Sequence, residues 1–284
     1  LHSNGIQAMV LPDYFMEEDK SPLISFKIIC VPSSLPVSDK LAGQLDKFVK
    51  SGGTLLVSGS RRDGFGDRES KLEALLGIKV LKGKCEERRL MEDLRWLDKA
   101  YEFYLQAKDE FKYGETLMTQ CDFIPVRPKK GSKVLAETVC WPKGEKRFPA
   151  VIARKTGRGQ TIYFNSSVED LLSNYGQVEF RELVGLLLKN SRNDIPFEVK
   201  SEKPISATLV EKNGFKIVHV LNEQNLADKV GFSIFVKIPS KTRGVSARSL
   251  VAGNNLKFKR QIDGIFISNL TVSDYECLSL ELEN

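Results

Sequence analysis

The chain has 284 residues, of which 41% are hydrophobic and 28% charged, with a formal net charge of +6 and a pI near 8.9. This is the composition of a globular protein with room for two domains. The sequence has no apolar stretch near the roughly 20 residues of a membrane span. Its five cysteines are scattered without a C-x-x-C pair, which argues against a disulfide framework and a zinc site. We therefore expect a cytoplasmic protein without metal, cofactor or membrane partner.

The first elements of the chain alternate between helix and strand. Leu1–Gly5 has the pattern of a helix end, and because the sequence begins with Leu, we expect further N-terminal sequence before it. Phe26–Pro32 is a continuous apolar run, which predicts a strand buried on both faces. Ser38 is suited to cap the next helix, which ends before Gly52, and Thr54–Ser58 is the next buried strand. This strand–helix–strand unit predicts a parallel, doubly wound sheet.

The rest of the first half mixes helices with extended segments. Apolar periodicity predicts helices over Glu69–Leu76, which Gly77 ends, and over Leu90–Tyr101 and Val178–Leu188. The predicted extended segments are Ile78–Leu81, Thr116–Val126, Lys133–Val139 and Pro149–Ala153. A tight turn at Gly157–Gly159 then predicts a hairpin that returns along Gln160–Phe164.

Helical periodicity vanishes beyond residue 195, and short strands follow at regular spacing. The predicted strands are Ile205–Val210, Lys216–Leu221, Gly231–Ile238, Val245–Leu250, Leu256–Lys259, Ile265–Ile267 and Glu276–Leu282. About seven short strands in ~85 residues are typical of a small antiparallel β-sandwich. We therefore place one domain at 1–195 and a second at 196–284.

Three stretches resemble a known family. The segment FKIICVPSSLPVSDKLAGQLDKFVKSGGTLLVSGS, with KLEALLGIKV after it, resembles the β-galactosidase trimerisation domain of family 42 glycoside hydrolases. FPAVIARKTGRGQTIYF resembles a later hairpin of that domain, and KIVHVLNE with the strands after it resembles the small β-domain that closes such proteins. The resemblance implies a flavodoxin-like or amidotransferase-like α/β domain with a parallel sheet, followed by the small β-sandwich. It also implies a homo-oligomer, a trimer, and a catalytic barrel upstream in the native chain.

The amidotransferase-like fold raises the question of a catalytic triad. Such a triad needs a cysteine on a sharp turn after a strand and a histidine that a carboxylate orients. The turn at Ser58-Gly59-Ser60 has no cysteine, and the two histidines are His2, at the start of the chain, and His219, in the second domain. We therefore predict no catalytic residue in this chain. The alternative, a stand-alone amidotransferase-like hydrolase, requires a serine of this turn with a base in reach.

The loop Gly59–Gly66 is the predicted ligand-binding segment. It follows a strand at the edge where open α/β sheets bind ligands, and its backbone N–H groups and arginines suit an anion. It matches neither the P-loop nor the dinucleotide fingerprint. Among the aromatic residues, Trp141 is the better candidate for stacking on a sugar ring. The predicted ligand-binding residues are Ser58, Gly59, Ser60, Arg61, Arg62 and Trp141.

The charged runs of the sequence are interpreted as solvated surface. A glycosidase needs two carboxylates across a sugar cleft, whereas the acidic runs at Glu17–Asp19, Glu86–Glu87 and Glu92–Asp93 are flanked by Lys and Arg. The acid and nucleophile of a parent glycosidase are therefore expected upstream of Leu1. An alternative is that a loop over Asp13–Asp19 rims the active site of a neighbouring subunit. The basic runs lack aromatic interleaving, so no nucleic-acid partner is predicted.

The function predicted from these observations is that of a non-catalytic C-terminal oligomerisation or accessory region of a β-galactosidase-like glycoside hydrolase. Its expected partners are further copies of the chain, the upstream barrel and, as a candidate ligand, carbohydrate. A second alternative is a carbohydrate-binding module, with the sandwich or Trp141 as its platform. That alternative predicts an exposed aromatic side chain on a concave face.

Overall fold

The computed structural model describes the chain except for residues 1–9, 17–21, 34, 36, 60–69, 82–101, 109–115, 120–122, 142–146, 170–182, 186, 188–195, 202, 204, 213, 223–227 and 284. The predicted helix Leu90–Tyr101 lies outside the described residues, as does the predicted helix end at Leu1–Gly5. The described residues of the predicted helix Val178–Leu188, which are 183–185 and 187, are helical. The chain divides into two compact units, Leu11–Phe180 and Arg181–Asn284 with Leu1–Val10. The domain bounds 1–195 and 196–284 stay a prediction.

The unit Leu11–Phe180 combines helices with a seven-stranded sheet. Its described helices are α1 (Asp13–Met16), α2 (Asp39–Lys50) and α3 (Lys71–Leu76), with a 3₁₀ turn at Pro22–Ser25. Its strands are β1 (Ile28–Val31), β2 (Thr54–Ser58), β3 (Ile78–Val80), β4 (Glu102–Ala107), β5 (Thr116–Thr119), β6 (Val126–Pro128), β7 (Ser132–Trp141), β8 (Arg147–Thr156) and β9 (Gly159–Phe164). The large sheet has the order β1-β2-β9-β8-β7-β4-β5, and β3 pairs with β6 separately.

The crossover from β1 to β2 forms as predicted, because its signals are local. Ser38 Oγ accepts a hydrogen bond from the Leu41 backbone N–H at 3.0 Å and so caps α2. The apolar stripe of α2 is buried, including Leu45 and Phe48. Burial of each large side chain of this kind stabilises the unit by roughly 1.5–3 kcal/mol. The strands β1 and β2 that the helix connects are parallel.

The predicted fold class, a flavodoxin-like or amidotransferase-like domain with a parallel sheet, is wrong. Among the described strands of this sheet, β1, β2 and β9 are parallel, whereas β8, β7, β4 and β5 each pair with their neighbours antiparallel. The sheet is therefore mixed and rich in strands. The physical reason is that a parallel pair requires a long crossover, whereas β8 and β9 are joined by the tight turn at Gly157. Strand β1 is also not buried on both faces, since Cys30 is exposed.

The turn between β8 and β9 packs against the C-terminal end of α2. The backbone N–H of Arg158 donates to Lys50 O, and that of Gln160 donates to Gly53 O, each at 3.2 Å. A Cβ on Gly159 would lie within 3.0 Å of Val49 O and Gly53 O, a distance that real Cβ atoms do not show. Glycine at 159 is therefore required by this close approach of two backbones.

The second unit contains the predicted β-sandwich. Its strands are β10 (Phe197–Ser201), β11 (Ile205–Lys212), β12 (Phe215–Asn222), β13 (Val230–Lys237), β14 (Gly244–Ser249), β15 (Lys259–Arg260), β16 (Gly264–Val272) and β17 (Tyr275–Glu283). They form two antiparallel four-stranded sheets, of order β10-β13-β16-β15 and β11-β12-β17-β14, whose inner faces share one apolar core. Strand β10 was not predicted from the sequence. In the described part of the chain, no helix has the length and apolar character to cross a membrane.

Candidate functional site

Polar residues follow the three parallel strands β1, β2 and β9 at the edge where these strands end. Ser33 lies shortly after β1, Ser58 is the last residue of β2, and Ser167 lies shortly after β9. All three side chains are buried. Because the carboxyl ends of parallel strands share one edge of a sheet, the fold brings these hydroxyl groups together.

Glu169 joins these serines into one hydrogen-bonded group, which we call the Ser–Glu cluster (Ser33, Ser58, Ser167 and Glu169). Ser58 Oγ donates to Glu169 Oε2 at 2.5 Å, and the backbone N–H of Ser33 donates to Glu169 Oε1. The Oγ atoms of Ser33 and Ser167 are 3.0 Å apart and hydrogen-bonded. Hydrogen bonds to a carboxylate are stronger than those between neutral groups. The cluster therefore ties the ends of β1 and β2 to the segment that follows β9.

The Ser–Glu cluster contains a serine and a carboxylate, but its arrangement differs from that of a hydrolase triad. A serine becomes a nucleophile when a base such as histidine takes its proton and a third group orients that base. Ser58 instead donates directly to Glu169, whose other oxygen is already engaged by Ser33. Of the two histidines, His219 is the one that the structure describes. It lies on β12, with its Nδ1 2.6 Å from Tyr275 Oη. The geometry fits cross-linking of strand ends rather than activation of Ser58.

The structure places two of the predicted ligand-binding residues at this edge. Gly59 follows Ser58, and its backbone N–H donates to Phe164 O at 3.0 Å, so this N–H is not available to an anion. A Cβ on Gly59 would lie 2.6 Å from Tyr163 Oη, which shows that glycine here serves close packing. Ser58 is occupied by Glu169, as described above.

No described contact joins the other predicted ligand-binding residues to the Ser–Glu cluster. Ser60, Arg61 and Arg62 lie outside the described residues. The backbone of Trp141 ends β7, opposite Glu102 of β4. The ligand-binding role of all six residues stays a prediction.

Sequence reasoning missed three members of the cluster: Ser33, Ser167 and Glu169. The available signal was that a serine lies at the end of each parallel strand or shortly after it. For Glu169 the signal was weaker. Helical backbone begins at residues 168 and 169, and acidic residues are favoured in the first turn of a helix. Within the described ranges, no group of three or more His, Cys, Asp or Glu side chains is placed to hold a metal ion.

Comparison with known sequences finds no match: no protein-family model and no curated protein is similar to this chain. Solved structures are similar in fold. The chain is 14% identical to α-L-fucosidase isoenzyme 2 from Paenibacillus thiaminolyticus, with a TM-score of 0.67 over 93% of this chain and 42% of that chain. It is 15% identical to the β-galactosidase from Rahnella sp. R3, with a TM-score of 0.58 over 99% of this chain and 35% of that chain.

A further β-galactosidase, from Bacillus circulans sp. alkalophilus, is 16% identical, with a TM-score of 0.54 over 93% of this chain and 34% of that chain. At such identities the similarity shows the fold alone. The chain therefore shares the fold of a part of these glycoside hydrolases, and it spans 34–42% of their lengths.

Proposed function

We propose that this chain is a non-catalytic accessory region of a longer glycoside-hydrolase-like protein and that it holds copies of that protein together. The observation that carries the proposal is the fold similarity, which extends over nearly all of this chain and a minor part of each glycoside hydrolase. The Ser–Glu cluster supports the non-catalytic role, because both oxygens of Glu169 already accept hydrogen bonds from the protein. In the proposed protein, the catalytic carboxylates belong to a barrel upstream of this chain.

Hydrolysis of chromogenic glycosides tests the non-catalytic role. The purified chain of 284 residues is expected to release no nitrophenol from p-nitrophenyl β-D-galactoside or α-L-fucoside above the buffer blank. The complete product of the natural gene, with its upstream segment, is expected to hydrolyse at least one glycoside. The proposal fails if the gene encodes no upstream segment. It fails equally if the chain alone hydrolyses a glycoside and Glu169→Gln abolishes that activity.

An apolar stripe on the outer face of one sandwich sheet supports self-association. Strand β12 alternates, so that Phe215, Ile217, His219 and Leu221 point away from the core. Leu221 lies opposite Tyr275 of β17, and Ile217 lies opposite Val210 of β11, so these residues share the face. We call Val210, Phe215, Leu221 and Tyr275 the outer stripe, and these side chains are 45%, 39%, 50% and 42% exposed. Exposed apolar side chains that share one face of a sheet are typical of association surfaces.

The mass of the chain in solution tests self-association through the outer stripe. Light scattering after gel filtration is expected to give a multiple of 31.9 kDa, and three copies is the number that the family resemblance implies. Leu221→Glu places a charge on the most exposed member of the outer stripe and is expected to give a monomer, because an unpaired charge is costly to bury. Phe235→Leu, on the other sheet of the sandwich, is the control and should leave the mass unchanged. A monomeric wild type, or an oligomeric Leu221→Glu variant, would contradict the proposal.

A further inference from the structure

The outer face of the other sandwich sheet carries a cleft. On strands β10, β13 and β16, alternate residues such as Phe197, Ile234 and Ile265 are buried in the core, and the residues between them point outward. The outward residues line an open depression with a volume of ≈ 300 Å³. We call this space the aromatic cleft; its lining residues are Glu198, Lys200, Ser233, Phe235, Gln261 and Phe266.

Register places the two phenylalanines side by side at the floor of the aromatic cleft. Phe235 of β13 lies directly opposite Phe266 of β16 on one side and Glu198 of β10 on the other. Directly opposed residues of an antiparallel sheet present their side chains on the same face. Both rings are half-buried, although they point away from a core that is already filled from the inner face. The outer face therefore offers an aromatic surface flanked by a carboxylate.

The ring of Phe235 packs against the backbone of Gly264. A Cβ built on Gly264 would meet Phe235 Cε2 at 2.6 Å, so the ring lies directly over the backbone of this glycine. Gly264 is the first residue of β16 and pairs with Lys237 of β13. This pairing fixes the position of Gly264 in the sheet. The ring is thus placed before any ligand arrives, and a preformed contact surface loses little entropy on binding.

The rim of the aromatic cleft is polar and includes both hydrogen-bond donors and hydrogen-bond acceptors. Glu198 accepts hydrogen bonds, Lys200 donates them, and Ser233 and Gln261 do both. Lys200 Nζ lies 4.0 Å from Glu198 Oε1, so the two formal charges offset each other across the rim. The lining residues therefore carry no net formal charge, which is compatible with a neutral ligand.

From this combination we infer that the aromatic cleft binds a neutral saccharide of one or two pyranose units. A pyranose has an apolar C–H face, which packs on an aromatic ring, and a periphery of hydroxyl groups that donate and accept hydrogen bonds. The volume of ≈ 300 Å³ is at the small end of the range for ligand pockets and suits a ligand of this size. The inference rests on the proposed function for the choice of sugar, and otherwise on the cleft alone.

Isothermal titration calorimetry with methyl β-D-galactopyranoside, lactose and L-fucose tests the inference on the full chain. The wild type is expected to bind at least one of these sugars. Phe235→Leu keeps an apolar side chain in the strand but removes the aromatic face, and it is expected to weaken binding about tenfold. Phe266→Leu is a second variant with the same expected direction. Phe215→Leu is the matched control, since Phe215 is an outward phenylalanine of the opposite sheet, and it should bind as the wild type does.

Three results would overturn the inference. The first is a wild type that binds none of the three sugars. The second is equal loss of binding in Phe235→Leu and Phe215→Leu, with all variants retaining the wild-type circular dichroism spectrum and melting temperature. The third is no loss of binding in Phe235→Leu and Phe266→Leu. None of these results bears on hydrolysis by the complete protein or on the solution mass, so failure of this inference is distinguishable from failure of the proposed function.

Discussion

Replacing Gly159 with alanine is expected to destabilise the unit Leu11–Phe180 by about 3 kcal/mol or more. The added Cβ would meet the carbonyl oxygens of Val49 and Gly53 within 3.0 Å. Both partners are backbone atoms, so no side chain can rotate away, and the turn before β9 must move off the end of α2. Urea unfolding followed by tryptophan fluorescence measures the effect, because Trp96 and Trp141 both lie in this unit.

Gly43→Ala is the matched control for this prediction. Gly43 lies inside α2, and a Cβ there would meet no atom within 4 Å. Alanine is a better helix former than glycine, so this variant is expected to stabilise the unit by about 0.5–1 kcal/mol. The same chemical change thus has opposite signs at the two positions. A Gly159→Ala variant with the wild-type unfolding midpoint would show that the two backbones do not approach each other as described.

Replacing Glu169 with alanine is expected to destabilise the same unit by roughly 2–4 kcal/mol. The change removes the acceptor of the Ser58 hydroxyl and of the Ser33 backbone N–H, and both serines are buried. Donors left unsatisfied in the interior lose their bonds to water without compensation. Glu169→Gln keeps one carbonyl acceptor and is expected to cost about half as much. The free energy of unfolding is again read from tryptophan fluorescence in urea.

Asp46→Ala serves as the control for the loss of a carboxylate. Asp46 Oδ2 lies 2.6 Å from Lys50 Nζ on the exposed side of α2, and the Lys50 side chain is 59% exposed. Pairs of this kind contribute about 0.3–0.5 kcal/mol, so the variant should unfold almost as the wild type does. If Glu169→Ala were as mild as Asp46→Ala, the Ser–Glu cluster would not be holding the strand ends together.

The secondary structure was predictable wherever its signals are local. Ser38 caps α2, and Gly77 ends α3 in the left-handed conformation with a φ of 67°. Both functions depend on residues within one helical turn. Strand β12 was likewise predicted, at Lys216–Leu221, and the structure has it at Phe215–Asn222. Such features follow from backbone sterics and from the separation of apolar and polar side chains, which neighbours in the chain suffice to specify.

The pairing of the strands was not predictable in the same way. The sequence predicts most of β7 as extended but does not predict β4, and the antiparallel pairing of Glu102 with Trp141 depends on an intervening segment whose path no local signal describes. The parallel arrangement of β1 and β2 around α2 was therefore assumed for the whole sheet, and the predicted α/β fold class was wrong. The resemblance to an amidotransferase-like domain contributed to this error, because its matching motifs cover the parallel strands and the hairpin of β8 and β9.

By itself, the sequence determined α2 and α3, most of the strands, the sandwich and the position of Ser58 and Gly59 at the end of β2. Only the tertiary structure decided the mixed order of the sheet, the Ser–Glu cluster and the aromatic cleft. Glu169 is 111 residues from Ser58 and 136 from Ser33, and Phe235 meets Phe266 through the register of two strands. Local propensity specifies the conformation of a segment, whereas a site made from distant segments depends on which strands pair. That choice minimises the free energy of the whole unit.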